Sequence, residues 1–443
     1  MDTLFAARQQ MALSLGWHIV IACFGVAFPA MVVFAEWRAH RHDDDPVLLT
    51  LARRWSRVFG VLFAVGAVSG TILSFEFGIL WPEFMARFGQ VFGVPFAMEG
   101  FAFFLEGIFI GIYLYGWDRV PRRLHILTGI PIIVSGILAT VFVVSVNSWM
   151  NHPRGFDIDS SGAVTNVDPW AALFHTGTAI SSTHMLLAAF MVAGFTASVP
   201  YAWAWLKGRR TRYYRLGFLI PFTFAAIATP VQLVIGDTSA RWVASQQPVK
   251  LAAMEGLYET ESDAPESLGG IYVDDELRYA LQIPCGLSFL IAFNCDHEVQ
   301  GLESVPADDR PPNINIVHWA FDTMVGIGSG LAALVAWFAF VWWRRRRLDV
   351  RMPQSRWFYR AALLAGPGAI VALISGWVVT EVGRQPWIVY ETMRVEDAVT
   401  TAGGIVYTYL GLWVIYTLLT VALLYVLRRV ARMPIPDDVA NVP

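Results

Sequence analysis

The sequence predicts an all-α integral membrane protein, a bundle of nine transmembrane helices with one long loop outside the membrane. Of its 443 residues, 56% are hydrophobic and only 15% are charged, whereas soluble domains carry about 25% charged residues. So few charged side chains cannot cover a water-facing surface, which excludes a soluble globular enzyme. The formal net charge of −3 gives no general attraction for nucleic acid, and we expect no nucleic-acid partner.

Nine stretches are long and apolar enough to cross a bilayer, which needs about 20 mostly apolar residues per helix. They cover residues 11–35, 54–80, 92–117, 124–150, 170–205, 216–235, 313–343, 358–382 and 402–428. The first stretch is long and has no clear cleavage site, so we interpret it as a helix and not as a signal peptide. The polar segment 236–312 divides the chain into helices 1–6 (1–235), an external loop, and helices 7–9 (313–443).

The distribution of basic residues predicts the orientation, because positively charged loops stay in the cytoplasm. Of the 32 Lys and Arg residues, 23 lie in the loops after spans 1, 3, 5 and 7 and in the C-terminal tail. We therefore expect the N-terminus and the 236–312 loop to lie outside and the C-terminus to lie in the cytoplasm. We interpret the run from Arg344 to Arg347 as part of this signal and not as a nucleic-acid patch.

Several ionisable residues lie inside the predicted spans, where a charge costs at least about 2.5–3.5 kcal/mol and marks a candidate functional site. They are His18, Glu76, Glu99, Glu106, His175, His184, His318 and Glu381. Given the orientation, five helices bring a histidine or carboxylate to a similar level in the outer half of the membrane. A buried porphyrin between facing helices would use such a layer, since imidazole and thioether are ligands of haem iron.

A methionine in span 7 is a candidate axial ligand. Met324 lies about 11 residues into its span, roughly 16 Å from the outer end, near the predicted level of His175. Spacing alone does not select it among thirteen methionines. His184 follows His175 by nine residues, which places the two on opposite helix faces. We interpret His184 and His318 as residues that hydrogen-bond between helices.

Two glutamates on span 3 predict a proton path. Glu99 and Glu106 are seven residues apart, so they share a helix face and differ in depth by about 10 Å. Carboxylates that step inward along one face suit a proton relay. The alternative is two glutamates that each hydrogen-bond to a neighbouring helix.

These residues belong to longer motifs, and with them the chain resembles the large haem-bearing subunit I of cytochrome bd-type quinol oxidases, including the cyanide-insensitive branch. The motifs occur in family order on seven spans and on the long loop. They are Gly16-Trp17-His18, Ser74-Phe75-Glu76-Phe77-Gly78, the run from Glu99 to Glu106, Gly116-Trp117-Asp118-Arg119, Asn147-Ser148-Trp149-Met150, Phe174-His175-Thr176, Lys250-Leu251-Ala252-Ala253-Met254-Glu255, Phe321-Asp322-Thr323-Met324, Gly376-Trp377, and Glu381-Val382-Gly383-Arg384-Gln385-Pro386-Trp387.

The resemblance implies three haems and a quinol site. It implies a low-spin haem b, a high-spin haem b, and either a haem d or a further haem b. It implies that His175 and Met324 are the axial ligands of the low-spin haem, and that His18 and Glu381 are ligands of the high-spin haems. Arg384 and Trp377 would lie beside the haems, and Glu99 would lie near the oxygen site. Lys250 and Glu255 would bind quinol in the loop. Which of His18 and Glu381 holds the oxygen-binding haem stays open, as does the quinol type.

The chain departs from the family pattern at several positions. Ser74 stands where many members carry a carboxylate, which leaves Glu76 as the nearest acid. Asp322 stands where an Arg is common beside the low-spin haem. The external loop is short for the family, and the sequence leaves open whether its Cys285 and Cys295 pair.

The function that follows is that of a terminal respiratory oxidase subunit in the bacterial inner membrane. On this expectation, membrane quinol would be oxidised outside, with Glu255 held ionised beside Lys250 as the base. Oxygen would be reduced to water with protons that come from the cytoplasm through Glu106 and Glu99, which would build a proton gradient without pumping. The implied partners are a homologous subunit II and a small single-span accessory subunit. The alternatives are a haem protein that transfers electrons without reducing oxygen, and a proton-coupled transporter.

Overall fold

The structure, a computed structural model, describes residues 2–344, 352–440 and 442. Nine helices in this part of the chain are long and apolar enough to cross a membrane, which confirms the predicted number. They are α1 (Thr3–His40), α2 (Pro46–Leu80), α3 (Pro82–Gly116), α4 (Arg122–Asn151), α6 (Thr176–Leu206), α7 (Arg212–Gln246), α10 (Ile314–Arg344), α11 (Arg356–Val382) and α13 (Ile405–Ala431). Of the basic run on span 7, Arg345 to Arg347 lie outside the described residues.

Short elements lie between the long helices. The short helices are α5 (Pro169–Leu173), α8 (Pro248–Glu255), α9 (Gly286–Ala292), α12 (Val395–Ala398) and α14 (Asp437–Ala440), with 3₁₀ turns at Leu302–Ser304 and Ala307–Asp309. The strands form four antiparallel pairs: β1 (Asp157–Ile158) with β2 (Val164–Thr165), β3 (Glu266–Leu268) with β6 (Leu281–Ile283), β4 (Ile271–Val273) with β5 (Glu276–Arg278), and β7 (Trp387–Val389) with β8 (Met393–Arg394).

Several helices extend beyond the predicted spans. Helix α7 ends at Gln246 and not at 235, so residues 236–246, which the sequence assigned to the external loop, are helical. Asp237 and Arg241, which are one helical turn apart, form an ion pair at 3.0 Å that stabilises this polar end of the helix. Hydropathy finds only the apolar part of a helix, and the polar turns that continue it into water are missed.

The fifth predicted span is interrupted. Helix α5 ends at Leu173 and α6 begins at Thr176, with His175 in an extended conformation (φ −134°, ψ 167°) as the N-cap residue between them. The predicted span 170–205 therefore begins too early. Its first residues form a separate turn, capped by Asp168, whose carboxylate accepts hydrogen bonds from the Trp170 and Ala171 amides.

Helix α1 is the most enclosed of the long helices, and it packs against α2, α4, α6 and α13. A buried carboxylate ties it to α3 and α4. Glu36 accepts hydrogen bonds from the Tyr113 hydroxyl at 2.6 Å and the His125 Nδ1 at 2.7 Å, with Arg122 at 3.6 Å. A buried charge needs such partners, so this cluster fixes how the three helices pack together.

Helix α13 marks the outer surface of the bundle. It packs against α1 and α2, and its other side exposes large apolar side chains such as Leu418, Val421 and Leu424. Apolar surface of this extent is stable only against lipid or another protein. The fold therefore has the exterior of a membrane protein.

Candidate functional site

A cavity of about 430 Å³ lies where α4, α6, α7, α10 and α11 meet the start of the loop. Its volume is in the range of ligand-binding sites. Six of its polar or thioether side chains come from six different elements: Asn147, His184, Gln232, Lys250, Glu266 and Met324. The cavity thus connects the membrane-embedded helices with the loop residues that the sequence assigned to quinol binding.

His184 and Met324 both line this cavity. The Nε2 atom of His184 lies 3.1 Å from the Gln232 amide nitrogen, while its Nδ1 is buried and has no hydrogen-bond partner among the described residues. Met324 fits only because residue 376 is glycine, since a Cβ there would lie 2.9 Å from the methionine sulfur. A histidine and a methionine on facing helices match the axial ligands of a low-spin haem.

His175 lies elsewhere. It is absent from the described lining of the cavity, and its ring packs near that of His152, with centroids 6.4 Å apart. The structure therefore places His184 and Met324 on the wall of one cavity and His175 outside its described lining. Depth explains the difference, because His184 lies about 12 Å into α6 and Met324 about 15 Å into α10. The early start of the predicted span concealed this match.

The His18 ring is oriented by a serine of α2. Its Nδ1 lies 2.8 Å from the Ser69 hydroxyl, and that hydroxyl also lies 3.0 Å from the Gly66 carbonyl oxygen. When the hydroxyl donates to that carbonyl, Nδ1 carries the ring proton and Nε2 keeps its lone pair. Gly70 leaves room for the ring, since a Cβ there would lie 3.1 Å from Cε1. A neutral imidazole oriented through its other nitrogen is the usual form of a metal-ligating histidine.

Glu381, near the end of α11, lies between two donors. Its carboxylate accepts hydrogen bonds from the Asn147 amide at 2.5 Å and from the Arg384 guanidinium at 2.6 Å. Arg384 is only 3% exposed, yet its Nε and Nη1 have no hydrogen-bond partner in the described part of the chain. Buried guanidinium donors need an acceptor, and a haem propionate would supply one. Trp377 lines the neighbouring cavity.

The acids of α2 and α3 lie on helices that face α1. Glu76 accepts hydrogen bonds from Gln10 at 3.0 Å and from Ser14 at 2.9 Å, one turn before His18 on α1. Glu106 is 5% exposed, and its Oε1 lies 3.7 Å from the Cβ position of Gly136 on α4. Glu99 is half-buried on the same helix as Glu106. The structure thus places Glu106 in the seam between α1, α3 and α4.

Lys250 is enclosed where α8 meets α4. It is 5% exposed, and its ammonium donates a hydrogen bond to the Asn151 side chain at 2.6 Å. Burial, together with the charge of Arg384, lowers the pKa of Lys250 to about 7, although Glu381 opposes the shift. Lys250 therefore lies beside the Glu381 and Arg384 pair.

Glu255 ends α8 and is 3% exposed. Burial raises its pKa well above the ordinary value, and the nearby Glu266 raises it further. The expectation that Lys250 holds Glu255 ionised is therefore wrong, since the neighbour that acts on this carboxyl is another acid. Glu266 could not be predicted as this neighbour, because it lies eleven residues further along the chain, on β3.

Two features of the loop complete the site. Cys285 and Cys295 form a disulfide, which settles the pairing that the sequence left open. Helix α9, which lies between them, contributes Leu287, Leu290 and Ile291 to the cavity wall. His318 on α10 contacts a neighbouring helix, as expected, and also the loop backbone. Its ring nitrogens lie 2.7 Å from the carbonyl oxygen of Met254 on α8 and 2.9 Å from that of Gly269 before β4.

Comparison with known proteins decides the family. Residues 6–434 match the family model for the cytochrome bd terminal oxidase subunit I. The chain belongs to this family. It is 35% identical over 416 residues to the putative cytochrome bd menaquinol oxidase subunit I of Bacillus subtilis, covering 93% of this chain and 92% of the relative. It is 27% identical over 472 residues to the cytochrome bd-II ubiquinol oxidase subunit 1 of Escherichia coli, covering 90% and 91%.

A solved structure agrees with this assignment. The bd oxidase from Geobacillus thermodenitrificans matches with a TM-score of 0.90 and 36% sequence identity, covering 98% of this chain and 99% of that chain. The resemblance drawn from the sequence motifs is therefore confirmed. The chain is therefore a multi-pass integral membrane protein, and its family membership implies haem as a cofactor.

In this oxidase subunit, the buried amine of Lys250 predicts a pH-dependent stability. Below pH 7 the folded state carries the cost of a buried charge. Between about pH 7 and 10.5 the folded amine is neutral while the unfolded amine stays protonated, so stability rises with pH. We expect thermal unfolding in detergent to show Lys250→Met stabilised relative to wild type at pH 6, with this advantage shrinking by pH 9. Lys207→Met, at an exposed lysine, is the control, and a pH-independent advantage for Lys250→Met would contradict the prediction.

Proposed function

We propose that this chain is subunit I of a quinol oxidase, which oxidises membrane quinol and reduces O₂ to water. One observation carries the proposal: a single cavity contains Lys250 and Glu255 at its loop end and His184 and Met324 at its membrane end. A quinol bound at the loop end would lie within the same enclosed space as the two candidate haem ligands. The printed names of the relatives, menaquinol and ubiquinol oxidases, support quinol as the substrate class.

The residues present fit the haems of the family. His184, and not His175, would hold a low-spin haem b together with Met324. His18 and Glu381 would hold a high-spin haem b and a haem d or further haem b. Arg384 would neutralise a propionate, and Trp377 would pack beside the haems. When bound, haem supplies one-electron transfer and the binding of oxygen. The protein supplies ligands in fixed orientation, such as the His18 ring set by Ser69.

The protons of the two half-reactions would use opposite sides of the membrane. The excess of Lys and Arg in the loops after odd-numbered spans supports a cytoplasmic position for those loops and an outer position for the quinol loop. Glu106 and Glu99 would carry protons from the cytoplasm toward the oxygen site. Release of quinol protons outside and uptake inside would then generate a proton gradient without a pump.

The assembly would be that of the family in the bacterial inner membrane. The term subunit I in the family name supports a subunit II as partner, and the exposed apolar side of α13 gives room for a partner helix or lipid. A small single-span accessory subunit, membrane quinol and O₂ complete the proposed set of partners.

The proposal is tested on the complex purified from haem-replete cells. We expect reduced-minus-oxidised spectra with low-spin and high-spin haem, a CO-difference signal, and oxygen consumption that depends on added quinol. If quinol reduces the haem but no oxygen is consumed, the chain is an electron-transfer protein that does not reduce oxygen. A colourless protein would indicate the transporter alternative and overturn the proposal.

A further inference from the structure

Two carboxyl groups face each other across the loop end of the cavity. Glu255 ends α8 and Glu266 begins β3, and both line the cavity. The amide of Ser267, the residue after Glu266, donates a hydrogen bond to the Glu255 carboxylate. The Oε2 atoms of both glutamates are buried, and neither has a hydrogen-bond partner among the described residues. Each acid thus keeps one oxygen free inside the cavity.

The two acids differ in their access to water. Glu255 is 3% exposed, whereas Glu266 is half-buried, at the start of a strand whose next-but-one residue, Leu268, is exposed. Burial raises the pKa of both carboxyls. Glu266 also raises the pKa of Glu255 through its charge. Two carboxyls that interact in this way cannot both be charged at low cost, so the pair favours sharing one proton. The cavity wall therefore carries an enclosed acid, Glu255, and a partly exposed acid, Glu266.

Charged groups from neighbouring elements surround the pair. Asp322 on α10 raises the pKa of Glu266 and His318 on the same helix lowers it. Both ring nitrogens of His318 face backbone carbonyl oxygens, and both contacts are hydrogen bonds only when the ring carries two protons. The other titratable groups of the cavity are His152, His184, Lys250, and the Asp237 and Arg241 ion pair.

We propose that Glu266 is a further acid–base residue of the quinol site, which takes the proton that Glu255 receives from quinol and releases it to the outer solvent. The inference rests on the proposed function and extends it to a residue for which neither the motifs nor the family likeness gave a role. Each quinol that becomes a quinone loses two electrons and two protons. The two electrons would pass to the haems that the proposed function places in this subunit and from there to oxygen. Each O–H proton passes to a Glu255 carboxylate oxygen, then to Glu266, then to water.

Glu266→Gln tests this role in the complete oxidase. We expect kcat for quinol oxidation to fall at least about tenfold, within the usual range for loss of an acid–base group, while KM stays within about twofold. The acid limb of the pH profile should move to lower pH, because removal of the neighbouring charge lowers the pKa of Glu255. Glu266→Asp should restore part of the rate. The matched control is Glu276→Gln, at an exposed acid on β5 that pairs with Arg278.

A second measurement separates acid–base chemistry from loss of structure. Infrared difference spectra of the purified oxidase with and without a bound quinone should show a carboxyl signal that Glu266→Gln changes and Glu276→Gln does not, with haem content unchanged in both variants. If Glu266→Gln keeps the wild-type kcat and pH profile, the inference about Glu266 is wrong and the proposed function is unaffected. Wild-type enzyme that does not oxidise quinol would overturn the proposed function, and the inference with it.

Discussion

His184→Ala is expected to remove the low-spin haem and to lower quinol oxidation at least about 100-fold, because even residues that only orient a metal ligand change activity by 10- to 100-fold. The imidazole lies in the cavity opposite Met324, and alanine has no atom that could replace its ring nitrogen. Met324→Ala should give the same spectral loss, because it removes the thioether sulfur and the neighbouring Gly376 has no side chain that could replace it. The measurement is the reduced-minus-oxidised spectrum together with haem extraction.

His175→Ala is the matched control for this prediction. His175 precedes the first turn of α6, outside the described cavity lining, so the variant should keep the low-spin spectrum and most of the activity. If His175→Ala loses the low-spin haem while His184→Ala keeps it, His175 and not His184 is the axial ligand. High-spin signals that persist in all three variants would show that the bundle still folds.

Glu106→Gln is expected to slow oxygen reduction by about 100-fold, as is usual when a proton-transferring side chain is removed. Glu106 is enclosed between α1, α3 and α4, and glutamine cannot carry a proton through that seam. In proteoliposomes, quinol-driven proton uptake from the inner side should fall in proportion to turnover, whereas rapid reduction of the haems by quinol should persist.

The control for Glu106→Gln lies on the same helix. Glu83 is exposed in the first turn of α3, so Glu83→Gln makes the same chemical change far from the proposed path and should behave as wild type. Unchanged turnover and unchanged proton uptake in Glu106→Gln would remove the relay from the mechanism. The same result would favour the simpler reading that Glu106 only joins helices.

Most of the architecture followed from local composition. Nine apolar stretches predicted nine membrane-spanning helices, and the structure confirms them in its described residues, because lipid requires each spanning segment to be both apolar and internally hydrogen-bonded. Motifs such as Glu381 to Trp387 predicted the family, which the comparisons confirm. Helix ends were less accurate, as the extension of α7 to Gln246 shows, since polar helical turns in water have no hydropathy signal.

The membrane class, the number of spans and the family can be predicted from the amino-acid sequence alone, because they depend on apolar length and on short motifs along one chain. Which side chains meet depends on the fold: His184 and Met324 line one cavity, and Glu266 acts on Glu255 from a separate loop element. Such pairings depend on where each helix begins and on how separate segments pack. A one-turn error in the start of a helix shifts the expected depth of a side chain by about 5.4 Å. A side chain displaced by that distance no longer reaches the same bound group.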